Sequence, residues 1–345
     1  MRLEATDTMW CFRYGCETQN SYYPHDAMRE GIKIRTAFFW GLGLIVVGAV
    51  SFFVFLPHDR LDPPSAFPQL SEPYFGEPEP GEVPRLFAAS ILGRDLHSPP
   101  IFSPDGESVY WCRMDSEGTD EILWMRREDG IWQPPELVPF ASRIGGSDAP
   151  FLSSDGKRLY FVSFRPANLG MLFANRETFW VAERTASGWG AAHPVPFAGP
   201  SPSAHWAFAV TDREALYFGS ESEIYVAESE SDGYSTPRPI GPPISTPGRE
   251  EMPYVAADGS YMLFASDSHA GHLGNIDLYL SIRQPDGAWG KPIHLPPPVN
   301  SVHQDIYPSM SPDGRYLFFL STRGGGHNAY WVDASVVTDL FPKAE

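Results

Sequence analysis

Only three cysteines occur in this 345-residue chain, Cys11, Cys16 and Cys112. Just one of them follows the long apolar stretch described below, so no disulfide can staple the part of the chain beyond it. Cys11 and Cys16 have no further cysteine or histidine beside them, which argues against a structural zinc pattern. Positive charge is also scarce. Against 43 Asp and Glu there are 25 Lys and Arg, a formal net charge of −18, and no basic run supplies the concentrated surface that nucleic-acid phosphates require. The G-x-S-x-G elbow of serine hydrolases is missing, and too little chain follows the last repeat for an appended hydrolase domain to be expected there. What the sequence has in quantity is 35 prolines, 31 glycines and 14% aromatic residues. The prolines and glycines fall mostly between short apolar runs, a distribution that predicts many short strands and many turns.

Ala37 to Leu56 reads AFFWGLGLIVVGAVSFFVFL, twenty residues without a charge. As a helix this is long enough to cross a hydrocarbon core of about 30 Å. Arg29, Lys33 and Arg35 precede it, whereas Arg60 beyond it is flanked by Asp59 and Asp62. The positive-inside rule therefore puts the N-terminus in the cytoplasm and the remainder on the periplasmic or extracellular side of a single-pass membrane protein. The apolar run is longer than a signal-peptide core and no A-x-A site follows, which favours an uncleaved anchor. Met28 begins a plausible start of its own, so residues 1–27 are either a short tail or sequence upstream of the true start. The expected organisation is a cytoplasmic tail over 1–36, a transmembrane helix over 37–56, a proline-rich acidic linker over 57–83 and a folded domain over 84–345. Within the linker, Tyr74 and Phe75 are candidates to dock on that domain.

The domain is built on a repeated phrase. SPDGRYLFFLS at Ser311 to Ser321 recurs as SPDGESVYW from Ser103 and SSDGKRLYF from Ser153, and in weaker form as VTDREALYF from Val210 and AADGSYMLF from Ala256. Proline presets φ and glycine accepts a positive φ, so each phrase is a tight turn leading into a buried strand. Aligned on Asp105, Asp155, Asp212, Asp258 and Asp313, the copies are spaced 50, 57, 46 and 55 residues apart. Each interval holds a strand before the turn, one after it, a third such as EILWMRR or TFWVAER, and a Gly-aromatic turn opening a fourth. Four short antiparallel strands make one propeller blade. The last interval lacks its fourth strand, while VPRLFAASILGRDLHS before the first turn matches KPIHLPPPVNSVHQD before the last. The expected fold is thus an all-β, five-bladed β-propeller, with six blades as the alternative, closed by its N-terminal strand. Closure removes exposed sheet edges.

The turn phrase, the Y-V-A-E-R type of third strand and the G-W-x-x-P turn resemble the WD-like propeller repeat of the TolB family, over about Pro84 to Val337. The resemblance implies a propeller and a binding role, since that family includes periplasmic binding proteins and accessory domains. Two departures stand out: Asp212-Arg213 breaks the Asp-Gly turn of the third copy, and five repeats is one short of the family's usual six.

For chemistry, the recurring turn aspartates suit a backbone role, with the carboxylate accepting turn N–H groups. The polar residues seven or eight positions before them, His97, Asp148, His205, Glu251 with its neighbour Glu250, and Asp305, are expected at the starts of the innermost strands. There they would form a ring able to hold a polar ligand or a divalent cation such as calcium. His269 and His272 in the loop Asp267 to Asp277 are a second, weaker metal candidate. The functional expectation is a non-catalytic, monomeric binding module for a protein or a cell-envelope saccharide. The alternative is a carbohydrate-active hydrolase with two acids in the channel.

Overall fold

The computed structural model describes residues 67–342, apart from 117, 143–144, 168–176, 187 and 201–204; the side chains of His205 and Trp206 also lie outside what is described. All of these belong to one compact unit, His58–Glu345, and the tail and apolar segment over 37–56 fall outside the described residues. No described helix is long and apolar enough to cross a membrane.

The described residues form five antiparallel blade sheets and one separate two-stranded ribbon. The N-terminal strand β1 (Arg85–Leu86) stands apart from the four sheets that follow it in sequence. Blade one contains β2 (Ile101–Phe102), β3 (Ser108–Met114) and β4 (Asp120–Glu128), edged by β5 (Ile131–Trp132) and β6 (Glu136–Leu137). Blade two contains β7 (Asp148–Leu152), β8 (Arg158–Ser163) and β9 (Thr178–Thr185), edged by β10 (Gly188–Trp189) and β11 (His193–Pro194). Blade three has β12 (His205–Val210), β13 (Leu216–Ser220) and β14 (Glu223–Ala227), a small ribbon of β15 (Ser229–Glu230) with β16 (Gly233–Tyr234), and an outer β17 (Arg238–Pro239). Blade four runs from β18 (Glu250–Val255) through β19 (Tyr261–Ser266) and β20 (Asp277–Ile282) to β21 (Ile293–His294). Blade five has β22 (Asp305–Met310), β23 (Tyr316–Ser321) and β24 (Asn328–Asp333), and its fourth strand is β1. Arg85 pairs with Trp331 and Leu86 with Tyr330, and the Phe87 amide donates to the Ala329 carbonyl at 2.9 Å. The ring closes as its sequence implied, with five blades.

The turns explain why the phrase repeats. Ser103 Oγ donates to Asp105 Oδ1 at 2.5 Å and accepts from the Ser108 amide at 2.8 Å, while the Glu107 amide donates to Asp105 Oδ1. Ser153 with Asp155 and Ser311 with Asp313 repeat the pattern. The following glycine sits at a φ near +70° in these three turns and in the Asp258 turn. In the third copy, where glycine is missing, Glu214 takes the positive φ (58°), and Thr211 Oγ1 accepts the Ala215 amide.

Packing lies mainly between blades. Tyr110, Ile122 and Trp124 of blade one meet Leu159, Phe161 and Trp180 of blade two, and the other seams are built likewise. The seam between blades five and one is the most aromatic. Phe87 is fully buried, with its ring centroid 5.0 Å from those of both Phe318 and Trp331. The proline-rich segment joins this seam from Phe67 onward. Tyr74 stacks edge-on to Phe102 and Tyr316, Phe75 lies against Phe87 and Trp132, and Trp132 donates to the carbonyls of Leu70 and Glu72.

Candidate functional site

Each inner strand of blades two to five carries an irregularity near its start, one extra residue between Asp148 and Phe151, Glu251 and Tyr254, and Ile306 and Ser309, and two between His205 and Phe208. Ala149, Met252 and Tyr307 occupy it at φ 49–56°, and Pro150, Pro253 and Pro308 follow. A bulge leaves one residue out of the ladder, so a proline there removes no needed donor. Beyond it the inner strands and the first residues of the turns enclose a cavity of about 200 Å³ at the ring centre. Ile101, Phe151, Phe208, Tyr254 and Met310 represent the five blades in its wall, and no charged residue or histidine is among the described lining. Among its lining residues is Ser309, 6% exposed, whose Oγ has no hydrogen-bond partner.

The polar residues that begin the inner strands divide into two registers. Aligned on the bulge, Asp148, His205, Glu251 and Ile306 are equivalent, whereas Ser147, Glu250 and Asp305 stand one position earlier. Successive strand residues point to opposite faces, so a single ring through His97, Asp148, His205, Glu251 and Asp305 mixes two faces of the strand. The individual surroundings bear this out. Asp305 is fully buried and pairs with Arg323 at 2.5 Å, while accepting from the amide and hydroxyl of Ser301. Glu250, also fully buried, accepts from Thr246, Ser266 and Ser268. Glu251 is half-buried, and the side chain of His205 is outside the described residues. In the second candidate loop, His269 contacts the Ile244 carbonyl and the Glu250 carboxylate, whereas exposed His272 faces the His269 carbonyl.

His97 and Asp148 do come together, along with a residue that the repeat spacing did not single out. His97 Nδ1 lies 2.9 Å from Asp120 Oδ1 and 3.6 Å from Asp148 Oδ2, and all three residues are buried. His97 precedes β2, Asp120 opens β4 and Asp148 opens β7, so the cluster straddles the seam between blades one and two. The His97 amide is fixed by the Cys112 carbonyl at 2.9 Å. Burial alone would lower the imidazole's proton affinity, but the two carboxylates outweigh it and push its pKa up to about 10. Cys112, fully buried beside them, has its thiol held well above the ordinary value by burial first and the two carboxylates second.

Arg323 neutralises Asp305 in blade five; the equivalent Arg165 of blade two keeps the same place but meets Ser147, the residue in the position of Asp305, donating to Ser147 Oγ at 2.6 Å, to Ser163 Oγ and to the Phe140 carbonyl. Burial lowers the Arg165 pKa to about 10. A sequence signal for Asp120 existed: Asp120, Glu223, Asp277 and Asn328 all open third strands.

Five antiparallel blades around a central cavity define a five-bladed β-propeller. No protein-family model and no curated protein sequence matches the chain. Solved structures similar to it include a TolB protein from Agrobacterium tumefaciens, at 18% identity over 65% of this chain and 69% of that one, with a TM-score of 0.42. Another is TolB from Acinetobacter baumannii, at 13% identity over 69% of this chain and 52% of that one, with a TM-score of 0.44. A third is a gluconolactonase from Xanthomonas campestris, at 13% identity over 79% and 98% of the two chains, with a TM-score of 0.41. These similarities are weak, and the propeller assignment rests on the sheet topology itself.

Proposed function

We propose that the chain is a membrane-anchored, extracytoplasmic binding module, a monomeric propeller whose central cavity takes an apolar group presented by a protein partner. The anchor is the uncharged run Ala37 to Leu56, and its orientation follows from the flanking charges. The observation that carries the binding role is the cavity: five inner strands converge on about 200 Å³ of mainly apolar space. That volume is below the roughly 300–1,000 Å³ of typical small-molecule pockets and suits one large side chain. A saccharide would ask for several converging polar groups, and a two-carboxylate hydrolase for acids facing the channel. The described lining holds no acid and its Ser98, Ser153, Ser154 and Ser311 hydroxyls are engaged within the protein, while the acids at the strand starts engage residues of their own or an adjoining blade.

Replacing Met310 with a photo-crosslinking amino acid in the full-length chain tests this. The expected result is a discrete protein adduct in cells that is not formed from the same probe at Leu86, an exposed position on the closing strand. Equal labelling from both positions, or no protein adduct at Met310, would overturn the reading.

A further inference from the structure

The buried cluster between blades one and two has the composition and spacing of a metal site. We propose that His97, Asp120 and Asp148 bind one divalent transition-metal ion, zinc by their donor set, and that it ties blade one to blade two beside the channel. One imidazole nitrogen and two carboxylate oxygens lie within 4.8 Å of one another. Ligands about 2.0–2.1 Å from a tetrahedral zinc are about 3.3 Å apart, and the measured separations from Nδ1 are 2.9 and 3.6 Å.

Three further observations favour an ion over a purely structural contact. His97 is 9% exposed with Nδ1 aimed between the two carboxylates, yet Nδ1 directs a well-formed hydrogen bond at neither. Next, blade two offers Asp148 no arginine: Arg165, like Arg323 in blade five, binds the residue one position earlier, here Ser147, and Asp148 faces His97 across the seam. Finally, the acid equivalent to Asp120 in blade four, Asp277, is satisfied inside its own blade by the amides of Leu273 and Gly274 and by His294. Only at the first seam, among the described residues, do a third-strand acid and an inner-strand acid meet across a histidine. Two carboxylates balance a divalent cation and leave the imidazole neutral, whereas buried charge without such compensation is costly. Calcium is a poorer match, because it favours six to eight oxygen ligands and this set includes a nitrogen.

The full-length chain, purified without a histidine tag and stripped with chelator, is titrated with Zn²⁺ and separately with Co²⁺. The expected result is one ion per chain, a visible-region Co²⁺ spectrum of tetrahedral intensity, and a rise in Tm with Zn²⁺. Asp148→Asn and His97→Gln should each weaken zinc binding by at least about 100-fold and abolish the Tm rise, with circular dichroism confirming that each variant is folded. Should both variants fail to fold, the wild-type cobalt spectrum decides, since exposed histidines alone give weak, octahedral absorption. No bound ion, octahedral cobalt only, or folded variants that bind zinc as wild type does would overturn the site and leave a charged imidazole between two carboxylates. None of these results bears on the crosslinking at Met310, so the two proposals fail separately.

Discussion

Replacing Phe87 with alanine should cost the propeller a large share of its stability, although the strand bearing it pairs through only two residues. The Phe87 ring is fully buried, with centroids of Phe318 and Trp331 at 5.0 Å, Phe75 at 5.8 Å and Phe102 at 6.2 Å. It therefore joins the proline-rich segment, blade one and blade five in one cluster. Truncating a buried phenylalanine removes its transfer free energy and leaves a cavity, together about 3–5 kcal/mol. Four surrounding rings cannot collapse easily into the gap, so the upper half of that range is expected. Against a typical total of about 5–15 kcal/mol, this is severe. Leu86→Ala on the same strand is the control: its side chain is 40% exposed, and the loss should stay below about 1 kcal/mol. Urea unfolding followed by tryptophan fluorescence measures both, with the slope of the transition checking that unfolding remains two-state. A Phe87→Ala loss below 1 kcal/mol, or equal losses for the two variants, would refute the claim that the closing strand holds the ring through this side chain.

Arg323→Ala strands a fully buried Asp305 and should cost about 3–5 kcal/mol. Arg165→Ala, which leaves two hydroxyls and a carbonyl but no charge short of a donor, should cost about 1–3 kcal/mol, and thermal melts that rank the two the other way would refute the difference. Gly145→Ala puts a Cβ 2.3 Å from the Arg165 amide nitrogen at φ +80°, so it should destabilise well beyond Gly106→Ala, whose Cβ at φ +70° meets nothing within 4 Å. The latter should lose only the left-handed penalty of about 1–2 kcal/mol, and equal Tm shifts would contradict the crowding at Gly145. Hydrogen bonds from Ser153 and Ser260 hold the carboxyls of Asp155 and Asp258 below the ordinary 3.8. Lowered folded values mean that this stabilisation is present above 3.8 and is lost as pH falls through them. Tm should therefore drop in acid, and Asp155→Asn should flatten that drop; an unchanged acid limb in the variant would count against the turn's role.

The repeating parts of this molecule were readable because each recurs with its reason attached. Ser-Pro-Asp-Gly must turn, since its serine and aspartate serve the backbone and its glycine takes the positive φ. The match between the segments after Pro84 and Pro292 likewise showed which strands close the ring. The bulge of the inner strands left less trace, because it shifts a ladder by one residue without altering the apolar pattern around it. What separates Asp305 from Asp148 is their position: Asp305 stands eight residues before Asp313 and Asp148 seven before Asp155, and that offset divides the ring inferred from spacing. Asp120 went unremarked for another reason: it meets His97 and Asp148 only through blade-to-blade packing, which a within-repeat alignment does not encode.

The shared last blade also sets an order of events. Leu86 leaves the ribosome about 240 residues ahead of Tyr330, its partner. At ~5–20 residues per second, that strand waits ~12–50 s for the blade it completes. Over this interval the aromatic side of the strand, Phe87 included, has no permanent place, and the outer edge of the growing sheet array has no cover. Bringing such distant segments together is slow in any chain, because the entropy of the intervening loop is lost before the contact repays it. The first strand made is the last to be placed, and the time before its placement is when the nascent protein is most open to mispairing with another copy of itself.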